Sequence, residues 1–139
     1  METLIDDKAL EVIRRHAVGT FPDECCGALI EADGVIVEAF PLTNTTSAGR
    51  ARRFRIDADG YRRSEARARE LDAALVGFYH SHPNAPARPS EYDLEHAWPN
   101  LSYVIISVNR GEAGDATVWR LRDDRSGFDE GELRWQIQS

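Results

Sequence analysis

Long apolar runs are missing from this 139-residue chain. None approaches the ~20 residues needed to cross a bilayer, and no positively charged, then apolar, leader opens it, so neither a membrane anchor nor a secretory signal is expected. Cysteine is scarce: the only two, Cys25 and Cys26, are neighbours. A bridge between adjacent cysteines is strained and closes a trivial loop, which excludes a disulfide framework and makes a cytoplasmic location the expectation. Basic residues are in the minority, 17 against 24 acidic, for a formal net charge of -7. That balance argues against binding nucleic acid or an anionic membrane. Repeats and interdomain linkers are also absent, and the length suits one domain spanning residues 1–139. With 42% hydrophobic and 29% charged residues, the composition is that of a folded protein.

The hydrophobic pattern places the elements. Asp6 or Asp7 can cap a first helix whose Leu10, Ile13 and Ala17 share a face, with Gly19 and Pro22 ending it. Cys26 to Ile30 reads as a buried strand, turning at Asp33-Gly34 into Val35 to Phe40. Thr43 to Ser47 is a polar loop and Arg53 to Ile56 a short strand. Asp59 to Leu71 is a helix anchored sparsely by Tyr61 and Leu71. Leu75 to Tyr79 is an apolar strand running straight into His80. Ser90 caps a short helix through Trp98, with Glu91 to Asp93 suiting its positive end. Tyr103 to Val108 reads as a central strand, Gly111 to Asp115 as a turn, and Thr117 to Leu121 and Leu133 to Ile137 as the last strands. The sum is one α/β domain, a mixed sheet flanked by helices.

The chemistry concentrates in His80-Ser81-His82-Pro83 and, after a proline-rich loop, Ser90-Glu91-Tyr92-Asp93. Residues two apart on extended backbone point the same way, so His80 and His82 can aim both imidazoles at one spot. Asp93, in the first turn of the next helix, can swing a carboxylate toward them. Two nitrogens and one oxygen leave a fourth tetrahedral position for water, the pattern of catalytic zinc. Each member also has a plainer reading: surface histidines, a rigid proline loop, a helix cap at Ser90, a first-turn acid at Asp93. The combination His-x-His-x7-Ser-x2-Asp at one strand end favours the metal site over four separate coincidences.

These residues, together with Glu24 in Pro22-Asp23-Glu24-Cys25-Cys26-Gly27, resemble the JAMM (MPN+, or JAB1/MPN/Mov34) metallopeptidase family over nearly the whole chain. The resemblance implies an MPN-like, cytidine-deaminase-like fold. It implies that His80, His82 and Asp93 bind Zn2+, that Glu24 is the general base, and that Ser90 helps stabilise the tetrahedral oxyanion. Spacing alone does not separate Glu24 from Asp23; the family match decides it. Physically, zinc brings the pKa of water toward ~7, a glutamate can carry the proton to the leaving amine, and a hydroxyl can meet charge developing on the carbonyl oxygen. A metal-free MPN scaffold is the non-catalytic alternative, disfavoured by the complete ligand set.

Within the family, Tyr79 to Pro83, Pro89-Ser90 and Ala97-Trp98-Pro99 are similar to the CysO-cysteine peptidase type. That implies a partner: a small ubiquitin-like sulfur-carrier protein whose C-terminal Gly-Gly bears cysteine or another adduct, its tail entering as an extended strand beside a sheet edge. The alternative within the class is a general deconjugase of ubiquitin-like modifiers. Family members often self-associate, so a homodimer is a further expectation. Eight arginines between Arg50 and Arg69 face only Asp57, Asp59 and Glu65, which reads either as a solvated helix face plus a strand edge or as a docking patch for an acidic partner. His16 is expected to face solvent. His96 reads as solvated, with an outer-shell role at the metal as the alternative. Cys25 and Cys26 read as small apolar fillers rather than nucleophiles.

Overall fold

Apolar residues alternate sides along β4 (Ala74–Pro83), and this strand organises the molecule. In this computed structural model, which describes residues 1–137, it follows β1 (Glu2–Asp6), α1 (Asp7–Thr20), β2 (Cys26–Ala32), β3 (Val35–Leu42) and α2 (Ala58–Glu70). After it come α3 (Glu91–His96), β5 (Ser102–Asn109), β6 (Glu112–Leu121) and β7 (Phe128–Gln136). Gln138 and Ser139, the end of the expected 1–139 domain, lie outside the described residues. No helix among the described residues is long and apolar enough to cross a membrane.

The strands form one mixed sheet in the order β1-β3-β2-β4-β5-β6-β7. β4 pairs antiparallel with β2 and parallel with β5. β1 pairs parallel with both β3 and β7 and so closes the sheet into a barrel. The mixed sheet with flanking helices is therefore as expected, but its closure is new. Closure is partial along the edges, since among the described residues β1 meets β3 only at Val35 and Ile36 and β7 meets β6 only from Val118 to Leu121.

Two apolar clusters lie on opposite sides of the β2–β4 region. One packs Ile5, Leu10, Ile13 and Ala17 against Leu29, Tyr79, Val104 and Ile106, which buries the apolar stripe of α1. The other gathers Ala28, Leu42, Phe78, Tyr103 and Leu121 with Phe54, Ile56 and Leu94. Phe78 and Tyr79 thus face opposite ways, and strand alternation sends His80 and His82 to the Phe78 side.

Several expectations need correcting. Arg53 to Ile56 is not a strand; it runs irregularly across the second cluster, its backbone bonded to Asn44 and Thr45. Gly111 to Asp115 is not a turn: β6 starts at Glu112, because Arg110 and Gly111, with φ of 52° and 85°, make the reversal by themselves. The third helix stops at His96, where Ala97 turns extended and is buried in the second cluster. α2 is anchored by Gly60, Ser64 and Ala68, while Tyr61 and Leu71 are exposed. Small residues at i, i+4 and i+8 let this helix lie close to the sheet. β1 escaped notice because its five residues run directly into α1 and their partners are remote in sequence.

Close backbone approach fixes one glycine. A Cβ on Gly77 would lie 1.8 Å from the carbonyl oxygen of Ser102 on β5, whereas a Cβ on Gly19, near the end of α1, would meet nothing within 4 Å. Two alanine substitutions should consequently move urea midpoints in opposite directions. Gly77→Ala should cost about 3 kcal/mol, the upper part of the overpacking range. Gly19→Ala should stabilise by roughly 0.5–1 kcal/mol through helix propensity. An unchanged midpoint for Gly77→Ala would contradict the described β4–β5 contact.

Candidate metal centre

Strand and helix each deliver part of the site. β4 carries His80 and His82, 2% and 6% exposed, on one face. α3 carries Asp93 through a capping box: the Ser90 Oγ accepts from the Asp93 N–H at 3.1 Å, and Asp93 Oδ2 accepts from the Ser90 N–H at 2.9 Å. This reciprocal pair satisfies two backbone donors of the helix start and fixes the carboxylate. The Ser90 hydroxyl oxygen is used as an acceptor, which leaves its own proton for another partner.

Three heteroatoms converge. His80 Nε2, His82 Nε2 and Asp93 Oδ2 stand 3.1 Å from one another on every side. His82 Nδ1 lies 2.8 Å from the Pro86 carbonyl, which can only accept, so Nδ1 carries a proton; Nε2 then donates to Asp93 when the ring is charged and presents a lone pair when it is neutral. Two acceptors this close inside a protein are relieved either by a proton on Nε2 or by a bound cation. The triangle fits one: ligands at about 2.0–2.1 Å from a tetrahedral zinc are separated by about 3.3–3.4 Å.

Glu24 approaches from the residue pair that precedes β2. It is 4% exposed, and its Oε1 is buried with no hydrogen-bond partner. Glu24, His80 and His82 form a cluster able to coordinate a metal ion, their ligand atoms all within 4.8 Å of one another. Glu24 is placed by its neighbours, since Cys25 N–H donates to the buried Ser81 Oγ at 2.8 Å and Ser81 N–H donates to the Cys25 carbonyl at 3.2 Å. Ser81, between the two histidines, therefore ties the Glu24 segment to β4, a role that its place in the motif did not disclose.

Charge in this pocket is strongly perturbed. Burial pushes the Glu24 carboxyl up to about 8, reinforced by Asp93 and opposed by His82. Burial also disfavours charge on Asp93, but His80 beside it and hydrogen bonds from both imidazoles and Ser90 outweigh that and hold it well below the usual carboxylate range. His80 is lowered by burial despite Asp93. On His82, burial is overcome by the bonds to Asp93 and Pro86 and by the Asp93 and Glu24 charges, so its pKa rises. A divalent cation held here would add positive charge and so favour the ionised form of Glu24.

The remaining candidates separate clearly. His16 does not face solvent: its Nδ1 is 2.7 Å from Tyr79 Oη in the contact between α1 and β4. Tyr79 projects to the α1 side of the sheet, and its hydroxyl needs a partner there. His96 stacks on Tyr92 with its Nδ1 2.8 Å from the Tyr92 carbonyl, exposed and making no contact with the three converging atoms. Cys25 and Cys26 are free thiols, fully buried, one in each apolar cluster. A cleft of about 670 Å³ opens beside His80 and Asp93, walled largely by aromatic residues including Phe54, Phe78, Tyr92 and Trp98.

Residues 6–122 match the family of prokaryotic homologs of the JAB domain. The chain belongs to that family. It is 33% identical over 104 residues to a desampylase of Haloferax volcanii, covering 73% of this chain and 74% of that protein. To the CysO-cysteine peptidase of Mycobacterium tuberculosis it is 28% identical over 111 residues, 78% of this chain and 75% of the other. The solution structure of DSY2949 from Desulfitobacterium hafniense superposes with a TM-score of 0.85 at 29% identity, covering 99% and 94% of the two chains. A JAB1/MPN domain protein, AF2198 from Archaeoglobus fulgidus, shares the fold with a TM-score of 0.64 at 20% identity, over 98% and 100%. JAB-domain membership and the metal-competent cluster together support a metallopeptidase.

Two outcomes are expected of this centre. Purified protein should hold about one zinc per chain; Glu24→Gln should keep it and Asp93→Ala should lose it, read by metal analysis after dialysis against a weak chelator. The opposite pattern would make Glu24 rather than Asp93 the third ligand. Burial, the largest influence on both cysteines, pushes Cys25 up to about 11 and Cys26 up to about 12. A thiol reagent at pH 8 should therefore find no reactive cysteine in folded protein and two in denaturant; a fast-reacting thiol in the native state would refute the filler reading.

Proposed function

We propose that this chain, as a single domain over residues 1–139, is a zinc-dependent peptidase. Its substrate on this reading is the peptide or isopeptide bond after the C-terminal Gly-Gly of a small ubiquitin-like sulfur-carrier protein, with cysteine among the released adducts. The observation that carries the reading is the buried, unpartnered Glu24 Oε1 beside an imidazole pair and carboxylate that a cation would relieve. A cytoplasmic location goes with it, since both cysteines are free thiols.

His80, His82 and Asp93 would hold the ion, through Nε2, Nε2 and Oδ2. When bound, zinc supplies Lewis acidity, polarising the scissile carbonyl and bringing the pKa of water toward ~7. Glu24 takes the proton of the attacking water on its free Oε1 and delivers it to the departing amine. Ser90 turns its hydroxyl proton to the carbonyl oxygen as negative charge develops there. The leaving amine must end within reach of Glu24, so the acyl side extends the other way. In that direction lies the aromatic cleft, which His80 and Asp93 line and Glu24 does not. On this reading the carrier's tail lies in this cleft, against α3 and residues 54–56.

The basic segment flanks the same place. The Glu24 N–H donates to the Arg50 carbonyl at 2.7 Å, and Arg55 lines the cleft. Arg67 is paired with Glu38 and Glu70, and Arg62 with Asp59. Arg53 and Arg63 lie over the rings of Tyr92 and Phe40. Among the described residues, Arg50, Arg52, Arg55 and Arg69 have no acidic partner, which leaves them for the carrier's acidic surface.

A general deconjugase is the second reading, favoured by one observation: the greater identity lies with a relative named for a different activity, the desampylase. Parallel assays separate the two. A carrier–cysteine adduct should be cut at least about tenfold faster, in kcat/KM, than a lysine isopeptide of the same carrier; equal rates would move the assignment to the general deconjugase. Changing Arg50, Arg52, Arg55 and Arg69 to Gln should raise KM for the intact carrier and spare a short Gly-Gly peptide, and equal effects on both would reject docking through this segment.

A further inference from the structure

Asn44 spends its whole hydrogen-bonding capacity in the wall of the metal centre. Its Nδ2 donates to the Glu24 carbonyl at 3.1 Å and to the Arg53 carbonyl at 3.0 Å. Its Oδ1 accepts from the N–H groups of Thr46 at 3.2 Å and Arg55 at 3.1 Å. Two donors and two acceptors are all that an amide side chain offers. The contacts at Arg53 and Arg55 fall on either side of Phe54, so one half-buried amide fastens the backbone of Glu24 to the backbone that presents the Phe54 ring.

Phe54 matters because of an asymmetry between the histidines. His82 is oriented by the Pro86 carbonyl, as metal-binding histidines usually are by an acceptor at the second nitrogen. His80 has no such acceptor: its Nδ1 is buried without a partner. Its Nε2 meets Asp93 and His82 at 3.1 Å, and on the Nδ1 side the plane of the imidazole is held by the Phe54 ring, stacked on it with centroids 4.5 Å apart and planes 25° apart. Where His82 has a hydrogen bond at its second nitrogen, His80 has an aromatic face against rotation about its Cβ–Cγ bond.

We propose that Asn44 is a positioning residue of this centre, setting His80 through Phe54 and setting Glu24 through its main chain. The inference rests on His80 as ligand and Glu24 as base. It accounts for why an irregular segment with no strand pairing is nevertheless ordered against the site, and for how an imidazole with a bare Nδ1 keeps one orientation. Asn44 touches neither substrate nor ion; its effect reaches both through the two residues that do.

The test uses the full chain and two readouts, zinc affinity by chelator competition and kcat against KM on a short Gly-Gly peptide. Phe54→Leu, which keeps bulk but removes the aromatic face, should weaken zinc binding about 10–100-fold, the range for lost orienting groups, while Phe54→Tyr should restore it to within about threefold. Asn44→Ala should weaken zinc similarly and lower kcat at least about tenfold with KM changed less than about threefold. Asn44→Asp, keeping the acceptor and losing both donors, should behave like Asn44→Ala. In the double variant Asn44→Ala/Phe54→Leu the losses in zinc affinity should not add, because one path carries both. Wild-type zinc affinity in Phe54→Leu and Asn44→Ala would overturn the proposal while leaving the peptidase reading intact; additive losses would overturn the route through Phe54. A wild-type protein that binds no zinc would overturn both, so the two failures are distinguishable.

Discussion

The site depends on keeping two imidazole nitrogens and a carboxylate oxygen 3.1 Å apart inside the protein. Left to themselves, these groups resist that arrangement: two are acceptors in their neutral or ionised forms, and burial penalises any charge among them. Proximity therefore has to be imposed by the scaffold. β4 imposes it on the histidines through strand alternation, anchored between β2 and β5 on either side. α3 imposes it on Asp93 through its own N-cap, so the interaction that starts the helix also aims the ligand. A cation bound there would relieve that strain, so on the proposed reading metal binding would also stabilise the folded chain.

The sheet divides structural from chemical work residue by residue. Phe78 and His80 line the cleft, with His82 on the same face of the strand; Tyr79 and Ser81, between them, face α1 and the Glu24 segment. Tyr79 lies so close to β2 that a Cβ on Gly27 would sit 2.3 Å from its ring, and its hydroxyl is met by His16. Ser81 ties Cys25 to β4 and so fixes the residue next to Glu24. The odd positions thereby hold the strand rigid for the even ones, which is the support a preorganised site needs. Glu24 itself is raised to about 8 by burial and would need added positive charge nearby to act as the proposed base. On that reading base and ion would be coupled, each favouring the other's state.

What the sequence disclosed follows from the range of the interactions. His80, His82, Ser90 and Asp93 lie within one short stretch governed by two local rules, strand alternation and helix capping, and both operate as read. Glu24, more than fifty residues away, was picked out by family resemblance; the chain offers Asp23 beside it with equal claim, and only burial and the missing partner on Oε1 separate them. The interactions that escaped notice are nonlocal. Closure through β1 depends on pairing with residues from 35 and 132 onward. The His16–Tyr79 contact joins residues 63 apart. The anchoring of α2 by Gly60, Ser64 and Ala68 inverts the usual expectation that large apolar residues mark the buried face, because close helix–sheet approach favours small ones. Phe54 was expected in a short strand, but Arg53 and Arg55 on either side of it are bonded to the Asn44 side chain and to Thr45 instead of to a ladder.

That asparagine bears on how one metal centre serves different substrates within a family. The groups proposed to do chemistry sit on the most constrained elements, a central strand and a capped helix turn. The arginines proposed to meet a protein partner, Arg50, Arg52 and Arg55, sit within residues 44–56, a segment outside the sheet that borders the aromatic cleft. Loops free of ladder pairing tolerate sequence change better than strands do, so partner recognition can vary there without moving β4. The freedom is bounded, however, because the same segment holds Phe54 against His80 and receives the Glu24 N–H at Arg50. Asn44 reconciles the two demands: it fixes the backbone at Glu24, Arg53 and Arg55 while leaving the arginine side chains unconstrained. Selection for a new partner can then act on those side chains, provided that the amide and the ring remain in place.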